Sequence, residues 1–352
     1  MSPKQIALPG GTGTIGHSIL SALLTPPNPE LYKPIILSRA TDEHPTGTTT
    51  LKQITSLHDK KNYDVETRFV DYTSLPQLKS ALKGIHTCIS TLLIPGPECV
   101  TYQLNLLSAC MEVGVRRFAP SEFALPQSSH GLVDVDHGKI TVWDEVQNAV
   151  KEGKIDAAAF PVGMFMNYLG IGHPNPNIER EARAGFREGT LMFYLASHPD
   201  GEDGGGPYAE IPLRKHGEWF PDMTMTDIRD IGRFVVAALG MSEPWGGREL
   251  GIAGSTMSVK DISGLFKGIF GERWSEKAVS IAELEERIAR PVTSVEDFFK
   301  RMETQYVIAC GRGGSVVDGV LNRMFPDIKA TGIREFVERY WGSASGVTDS
   351  KD

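Results

Sequence analysis

The sequence has little that marks a secreted, membrane-bound or nucleic-acid-binding protein. Only four cysteines occur among 352 residues, none in a Cys-x-x-Cys pair or at metal-ligand spacing from a histidine, so we expect reduced thiols and no metal site. No apolar run approaches the about 18 residues of a membrane span, and no signal-peptide pattern begins the chain. A net charge of −8 without a basic block argues against nucleic acid and anionic membranes. We therefore expect a cytoplasmic protein.

What the chain does contain is an alternation of short apolar segments and helical patterns. Hydrophobic residues make up 40% and charged residues 23% of the chain, as in ordinary soluble globular proteins. The predicted strands cover residues 5–8, 34–37, 63–70, 85–91, 117–120 and 156–160. The predicted helices between them cover residues 15–24, 75–83, 100–113 and 140–150. This alternation predicts an α/β fold with a doubly wound parallel sheet of the Rossmann type.

The pattern changes after about residue 160, which predicts two domains. Residues 1–160 are assigned to a dinucleotide-binding domain and residues 161–352 to a smaller α/β lobe that binds substrate. A segment at about 224–255 is expected to return to the first domain. Residues 185–217, rich in glycine and proline, are predicted to form an exposed, mobile loop. Helices are predicted at 227–239, 259–269, 281–288 and 294–304, before a last segment at 332–341.

The most informative segment is the glycine-rich stretch at residues 10–16, because it follows the first predicted strand and begins the first predicted helix. In that context Gly10 permits a tight turn, Gly13 lets the backbone approach a pyrophosphate, and Gly16 lets the helix pack close to the strand. The free N–H groups and partial positive charge of a helix N-terminus attract phosphates. The alternative is a glycine-rich turn without a ligand. Further backbone contacts are expected from Thr12, Thr14 and Ile15.

The ends of the next strands indicate which dinucleotide is bound. An NAD-preferring site usually has a carboxylate after the second strand, whereas this chain has Ser38 and Arg39 there. A guanidinium can bind the 2′-phosphate of NADP bidentately, so we predict NADP(H) as cofactor; the alternative is a solvated surface arginine. Asp71 follows the third predicted strand, where it would accept from the adenine amine or cap its loop. Thr91 ends the fourth, and its backbone is expected beside the ribose and nicotinamide.

Three motifs occur together in the first half of the chain. They are the Gly-Gly-Thr-Gly-Thr-Ile-Gly segment at 10–16, Leu-Ser-Arg at 37–39 and Arg-Arg-Phe-Ala-Pro-Ser-Glu-Phe at 116–123. Similar segments follow at residues 163–168, 226–232 and 325–331. Together they resemble the isoflavone reductase-like and NmrA-like group of atypical short-chain dehydrogenases, in particular its fungal natural-product type. The resemblance covers nearly the whole chain.

The resemblance implies an NADP-bound Rossmann domain with a smaller substrate lobe. Reductases of this group carry a lysine shortly after the Ser-Glu-Phe motif, and Lys139 occupies that place here. The NmrA-type branch also includes redox sensors that bind the nucleotide without turning it over. Two features depart from the reductase pattern, namely Ala124 in place of the usual glycine after Ser-Glu-Phe and an insertion around Gly204. Both concern the substrate rather than the fold.

Candidate catalytic residues follow from what a hydride transfer requires. No Tyr-x-x-x-Lys pair occurs, yet a proton donor or an electrostatic group is needed near the developing oxyanion. Lys139 is the first candidate, with a pKa that burial would lower, unless it is simply exposed. Glu122 is the second, as a general base or a binder of a cationic amine, unless it caps its loop or pairs with Arg116. His137 is a weaker acid–base candidate, since loop histidines are usually solvated, and Ser121 is expected to bond the cofactor ribose.

An apolar run after the sixth predicted strand indicates a substrate pocket at the open end of the sheet. Flexible methionines and aromatic faces suit a bulky, polycyclic ligand, although such a run is as often ordinary core. The expected substrate contacts are Phe123, Met164, Phe165, Met166, Tyr168 and Trp219.

These residues lead to three hypotheses about function. The first is an NADP(H)-dependent reductase acting on an aromatic or alkaloid-like natural product. The second is an enzyme that holds NADP in its pocket but catalyses a rearrangement or cyclisation without hydride transfer, which the missing tyrosine acid favours. The third is a non-catalytic redox sensor that binds a protein partner. We expect a monomer or homodimer with a small-molecule substrate.

Overall fold

A computed structural model describes residues 2–93, 96, 98–187, 189–196, 206–213 and 220–342. Its strands are β1 (Lys4–Pro9), β2 (Tyr32–Arg39), β3 (Thr49–Thr55), β4 (Asn62–Val70), β5 (Thr87–Ile89), β6 (Arg117–Ala119), β7 (Asp156–Ala159), β8 (Met164–Phe165), β9 (Phe193–Tyr194), β10 (Tyr208–Leu213), β11 (Asp222–Thr226), β12 (Arg248–Glu249), β13 (Ser255–Ser258) and β14 (Ser275–Ser280). Its α-helices are α1 (Thr14–Leu24), α2 (Asn28–Leu31), α3 (Leu75–Leu82), α4 (Glu98–Val113), α5 (His137–Lys151), α6 (Pro176–Arg183), α7 (Ile228–Leu239), α8 (Val259–Phe270), α9 (Ile281–Ile288), α10 (Val295–Gly311), α11 (Val320–Met324) and α12 (Ile333–Trp341).

An eight-stranded sheet in the order β12-β7-β6-β5-β1-β2-β4-β3 forms the centre of the molecule. All neighbouring strands pair in parallel except the edge pair of β3 and β4. The chain runs outwards from β1 in one direction and then from β5 in the other, so the strand order reverses between these two strands. This topology confirms the predicted doubly wound Rossmann-type fold.

The central strand β1 shows why its residues form a buried parallel strand. Ile6 and Leu8 belong to one hydrophobic core and Ala7 to a second, and all three are fully buried. Successive side chains of a strand point to opposite faces, and helices cover both faces of a parallel sheet. A near-continuous apolar run is therefore required here, which is why the sequence pattern was sufficient to find it.

Two strands of the main sheet escaped the sequence pattern, the two-residue strand β12 and the longer strand β3. The edge strand β3 is mostly exposed, with Ile54 as its only buried residue, and pairs antiparallel with β4. An edge strand that packs one side chain carries no apolar run, so the sequence pattern predicted no strand at residues 49–55.

Two small sheets, β14-β10-β9 and β13-β11-β8, are formed by residues after 160. Their presence corrects the prediction of an exposed loop over 185–217, since Phe193, Ala209 and Ile211 are buried. The glycines that suggested a loop at 201–205 lie outside the described residues.

The second half of the chain also packs on the main sheet. α7 lies against α1, where a Cβ atom on Gly232 would come within 2.2 Å of the Ser18 carbonyl oxygen. The Gly232 N–H donates to Ser18 Oγ at 3.0 Å. β12 extends the main sheet beside β7. Within the described part of the chain, no helix has the length and apolar character needed to cross a membrane.

Candidate active site

A cleft of about 880 Å³ opens at the carboxyl ends of the central strands. Gly10 follows β1, Arg39 ends β2, Thr91 follows β5 and Ser121 follows β6, and all four line the cleft. The strand order reverses between β1 and β5, and ligands of open α/β sheets bind beside such a reversal.

The glycine turn between β1 and α1 forms one end of this cleft. Gly10 has a φ of +76°, and a Cβ there would lie 2.8 Å from the Thr91 carbonyl oxygen. A Cβ on Gly16 would lie 2.4 Å from the Gly10 carbonyl oxygen, so Gly16 permits close packing and is not itself a wall residue. Gly13 is the N-cap of α1, and no side chain of a described residue caps the helix. The first-turn N–H groups are therefore available for an anion. Thr12, Thr14 and Ile15 also line the cleft.

Residues at the end of β2 form the adjoining wall. Ser38 and Arg39 both line the cleft, and among the described residues Arg39 makes no ion pair. Asp71 does not reach the wall, because its carboxylate accepts from the Thr73 N–H at 2.8 Å and the Thr73 hydroxyl at 2.6 Å. The structure thus places Asp71 as a loop cap, the alternative to an adenine contact, and its neighbour Tyr72 lines the cleft instead.

Lys139 lies on the cleft wall near the start of α5. Its Nζ is 2.7 Å from Oδ1 of Asp136, a carboxylate that is almost fully buried. Burial opposes the charge of Lys139, but Asp136 and Glu122 outweigh it and raise the pKa of the lysine. The expectation that burial would lower this pKa is therefore corrected: Lys139 is an ammonium ion at neutral pH.

Glu122 follows β6 and lines the cleft with only 2% of its surface exposed. Burial raises the pKa of its carboxyl to about 8. Oε2 lies 3.5 Å from His130 Nε2 and has no hydrogen-bond partner among the described residues. Pairing with Arg116 does not occur, since that arginine is exposed. Glu122 is thus a protonated acid at neutral pH with an oxygen unbonded beside the cleft.

The histidine beside Glu122 is His130, and not the predicted candidate His137. His137 is exposed, does not line the cleft and bonds the Gly131 carbonyl oxygen at 3.2 Å, so the structure places it away from any acid–base role there. His130 is fully buried beside Glu122, and burial lowers its pKa to about 4. Nothing in the sequence around His130 distinguishes it from a loop histidine, so sequence reasoning missed it.

Part of the cleft has an apolar wall. Phe123, Met164, Phe165 and Tyr168 line it, whereas Met166 is fully buried in the core and does not. Trp219 lies outside the described residues. The sequence interpretation missed five wall residues, because they come from remote parts of the chain: Phe186, Phe298, Phe299, Met302 and Tyr306.

The raised pKa of Glu122 makes a prediction for stability. Between the ordinary value of 4.5 and about 8, the folded chain holds a proton that the unfolded chain has lost. The free energy of unfolding should therefore fall as the pH rises through this window, by up to about 1.4 kcal/mol per pH unit. Glu122→Gln mimics the protonated acid and should flatten this slope in urea unfolding. Glu152→Gln, at an exposed carboxylate, should keep it; an unchanged slope in Glu122→Gln would contradict the assignment.

The parallel sheet and the glycine turn beside its reversal define a Rossmann-type α/β protein. The chain belongs to the NmrA-like family, whose model matches residues 2–311. The family predicted from the motifs is thereby confirmed.

Individual relatives agree with this assignment. Oxidoreductase BOA1 of Botryotinia fuckeliana (strain B05.10) is 29% identical over 337 residues, which cover 92% of this chain and 95% of that protein. A crystal structure of isoflavone reductase superposes with a TM-score of 0.66 and 17% identity, covering 96% of this chain and 99% of that one. A structure of AtPrR2 with NADP+ and (+)pinoresinol gives 0.64 and 16%, covering 97% and 99%. These two structures share the fold.

Proposed function

We propose that this protein is an NADP(H)-dependent reductase that acts on a bulky natural-product intermediate of aromatic or alkaloid-like character. One observation carries the proposal: a single cleft connects the glycine turn and Arg39 with Lys139, Glu122 and an apolar wall. A dinucleotide, a charged donor and an apolar substrate would therefore meet in one space. The naming of BOA1 as an oxidoreductase supports the same reaction class.

The residues of the cleft fit NADP better than NAD. The uncapped first turn of α1 would bind the pyrophosphate, and a side chain at Gly10 would obstruct the turn. Arg39, without an ion pair among the described residues, would bind the 2′-phosphate together with Ser38. Thr91 and Ser121 would lie along the ribose and nicotinamide. When bound, NADPH would supply a hydride to an electrophilic carbon of the substrate.

Arg39→Ala should affect the binding of the two reduced nicotinamide nucleotides, NADPH and NADH, differently. Because a hydrogen bond to a charged group contributes ~1.5–3 kcal/mol, NADPH binding should weaken by about 10- to 100-fold. NADH binding should hardly change, since NADH lacks the 2′-phosphate. Calorimetric titration of both nucleotides measures this, with the exposed Arg116→Ala as control. Equal losses for NADPH and NADH would contradict the role of Arg39.

Lys139 and Glu122 would divide the remaining chemistry. The Lys139 ammonium, held by Asp136, would stabilise negative charge that develops on a carbonyl oxygen or imine nitrogen. Glu122 carries a proton at neutral pH and would deliver it to that atom as general acid. The carboxylate left behind would be stabilised by Lys139, whose charge already favours the ionised form of Glu122.

The apolar wall indicates the substrate class. Aromatic rings and methionines of residues 164, 165 and 168, of Phe186 and of α10 line the cleft together with Lys139. We assign this wall to a substrate lobe formed by residues 161–352. The residues before 160 would add further apolar contacts, among them Phe123 and Val142. A flat polycyclic ligand would match the aromatic faces.

Turnover of NADPH against a panel of aromatic and alkaloid-like carbonyl and imine compounds tests the proposal. NADPH consumption is measured by the loss of nicotinamide absorbance. The amount of reduced product that accumulates should equal the amount of NADPH consumed. A folded, NADPH-loaded protein that remains inert across the panel would count against a reductase.

A second function is favoured by the protonated state of Glu122. A buried acid beside an ammonium group can promote a rearrangement or cyclisation without hydride transfer, and no Tyr-x-x-x-Lys pair is present. Such an enzyme would form product with oxidised cofactor as well as reduced. Deuterium from labelled NADPH that appears in the product would exclude this second function and support the first.

A further inference from the structure

We infer that Asp136 positions Lys139 in the cleft and connects this lysine to α10, the helix that supplies much of the apolar wall. Asp136 is a positioning residue, because it acts through Lys139. The inference rests on the proposed function in one respect, namely that the apolar wall receives the substrate.

Asp136 uses its two carboxylate oxygens for two different parts of the chain. Oδ1 lies 2.7 Å from Lys139 Nζ, and Oδ2 accepts a hydrogen bond from the Tyr306 hydroxyl at 3.2 Å. Only 1% of Asp136 is exposed, and a carboxylate buried to this degree requires charged or hydrogen-bonding partners. One buried group therefore joins the start of α5 to α10.

α10 also holds the loop that precedes Lys139 at a second residue. Gln305 Oε1 accepts from the Asp134 N–H at 3.1 Å, and Arg301 Nε lies 3.0 Å from Asp134 Oδ2. The loop consists of two short 3₁₀ turns, Gln127–Leu132 and Asp134–Asp136. Contacts from α10 therefore hold its second turn at Asp134 and at Asp136.

The same face of α10 forms the wall and carries the tyrosine. Phe298, Met302 and Tyr306 are spaced four residues apart, and all three line the cleft. Residues with this spacing lie above one another on a helix. A ligand that shifts the aromatic side chains of α10 would therefore act on the helix face that bonds Asp136. The fit of the apolar part of a substrate would in this way affect the position of the Lys139 ammonium group.

The charge of Asp136 is the nearest one that acts on Lys139. The other titratable groups that face Lys139 are Glu122 after β6, His130 in the loop and Cys99 on α4. His130 is neutral above its lowered pKa of about 4, whereas Glu122, with a pKa of about 8, is already ionised at the pH where Lys139 titrates. Loss of the Asp136 charge should therefore lower the Lys139 pKa, because it removes the negative charge that lies 2.7 Å from Nζ, while the charge of Glu122 remains.

Competitive acetylation of the whole protein, followed by peptide mass spectrometry, measures the pKa of Lys139 without substrate or cofactor. In Asp136→Asn the pH midpoint of Lys139 labelling should fall by about one unit or more, because the facing carboxylate is lost. Lys300, paired with Glu296 on the outside of α10, is the internal control and should keep its midpoint. A midpoint of Lys139 that does not move would overturn the inference.

Tyr306→Phe tests the connection to α10 by removal of one hydroxyl. The Asp136 carboxylate remains, so the Lys139 midpoint should stay at or above that of the unaltered protein. Amide hydrogen exchange over residues 127–136 should become faster, because one contact of α10 with the loop is lost. Tyr63→Phe on the distant strand β4 is the matched control, because it removes a similar hydrogen bond, from the Tyr63 hydroxyl to Asp59 at 2.6 Å. It should leave the hydrogen exchange of residues 127–136 unchanged.

The two variants distinguish positioning from simple loosening of the fold. Loosening would lower the Lys139 midpoint in both variants, whereas the inference requires a fall in Asp136→Asn alone. If Asp136→Asn does not fold, Tyr306→Phe decides: unchanged exchange over residues 127–136, or a lowered midpoint, would overturn the inference. Neither measurement uses NADPH, so a protein that fails to bind NADPH would refute the proposed function and leave this result standing.

Discussion

Lys139→Met should lower the rate of NADPH-dependent reduction by about 10²–10⁴-fold, which is the usual contribution of a positioned acid or charged group. The ammonium group belongs to a side chain that lines the same cleft as the glycine turn and the apolar wall. Its pKa is raised by Asp136 and Glu122, so it is charged when the substrate oxygen becomes negative. Steady-state kinetics with a substrate found in the panel measure this loss. Turnover within a few-fold of the unaltered protein would contradict a catalytic role for Lys139.

The same variant leaves Asp136 buried without its cation, which costs about 3–5 kcal/mol in typical buried pairs. The double variant Asp136→Asn/Lys139→Met removes both charges and should recover most of that stability. Its activity should remain as low as that of Lys139→Met, because the ammonium group is still absent. Recovery of activity together with stability would mean that Lys139 acts only through the fold. NADPH titration of each variant separates loss of the cofactor from loss of chemistry.

Gly16→Ala should disrupt the glycine turn between β1 and α1 more than a methyl group added at any other glycine of that turn. The added Cβ would lie 2.4 Å from the Gly10 carbonyl oxygen and 2.6 Å from Gly11 Cα, and neither backbone atom can move without shifting the turn. Overpacking of this kind costs about 1–3 kcal/mol. Displacement of α1 would also misalign its N–H groups, so NADPH affinity should fall by about tenfold or more.

Gly264→Ala provides the matched control for this prediction. Gly264 also lies within a helix, α8, but no atom in the described parts of the chain lies within 4 Å of its added Cβ. This variant should gain about 0.5–1 kcal/mol from improved helix propensity and bind NADPH normally. Urea unfolding and calorimetry measure both properties. Normal NADPH affinity in Gly16→Ala would exclude the glycine turn as the phosphate-binding site.

Sequence reasoning succeeded where one local pattern determines one local structure. β1, β2, β4 and α1 appear close to their predicted positions, because a buried parallel strand needs an apolar run and the turn after β1 needs glycine. It failed at β3, which buries a single side chain, and at β9 and β10, whose apolar residues lie among glycines and prolines. In those segments pairing with a remote strand, rather than local composition, decides the structure.

The candidate site divides in the same way. Gly10, Gly13, Arg39 and Lys139 lie in motifs that can be read along the chain, and the structure places them all on one cleft. His130 and Met166 could not be assigned from sequence, since whether a loop histidine or a methionine faces solvent, core or cleft depends on distant neighbours. The apolar face of α10 was recognised as helical, but no pattern indicated that it would complete the wall.

The sequence by itself determined that the chain forms a Rossmann-type sheet with a glycine turn and with an arginine in place of a carboxylate after β2. Each of these depends on residues close together in the chain. Only the tertiary structure decided the protonation state of Glu122, the charge of Lys139 and the tie between Asp136 and Tyr306, which are 170 positions apart. The physical reason is that burial and electrostatic fields arise from whatever packs around a group, and that packing exists only after the chain has folded.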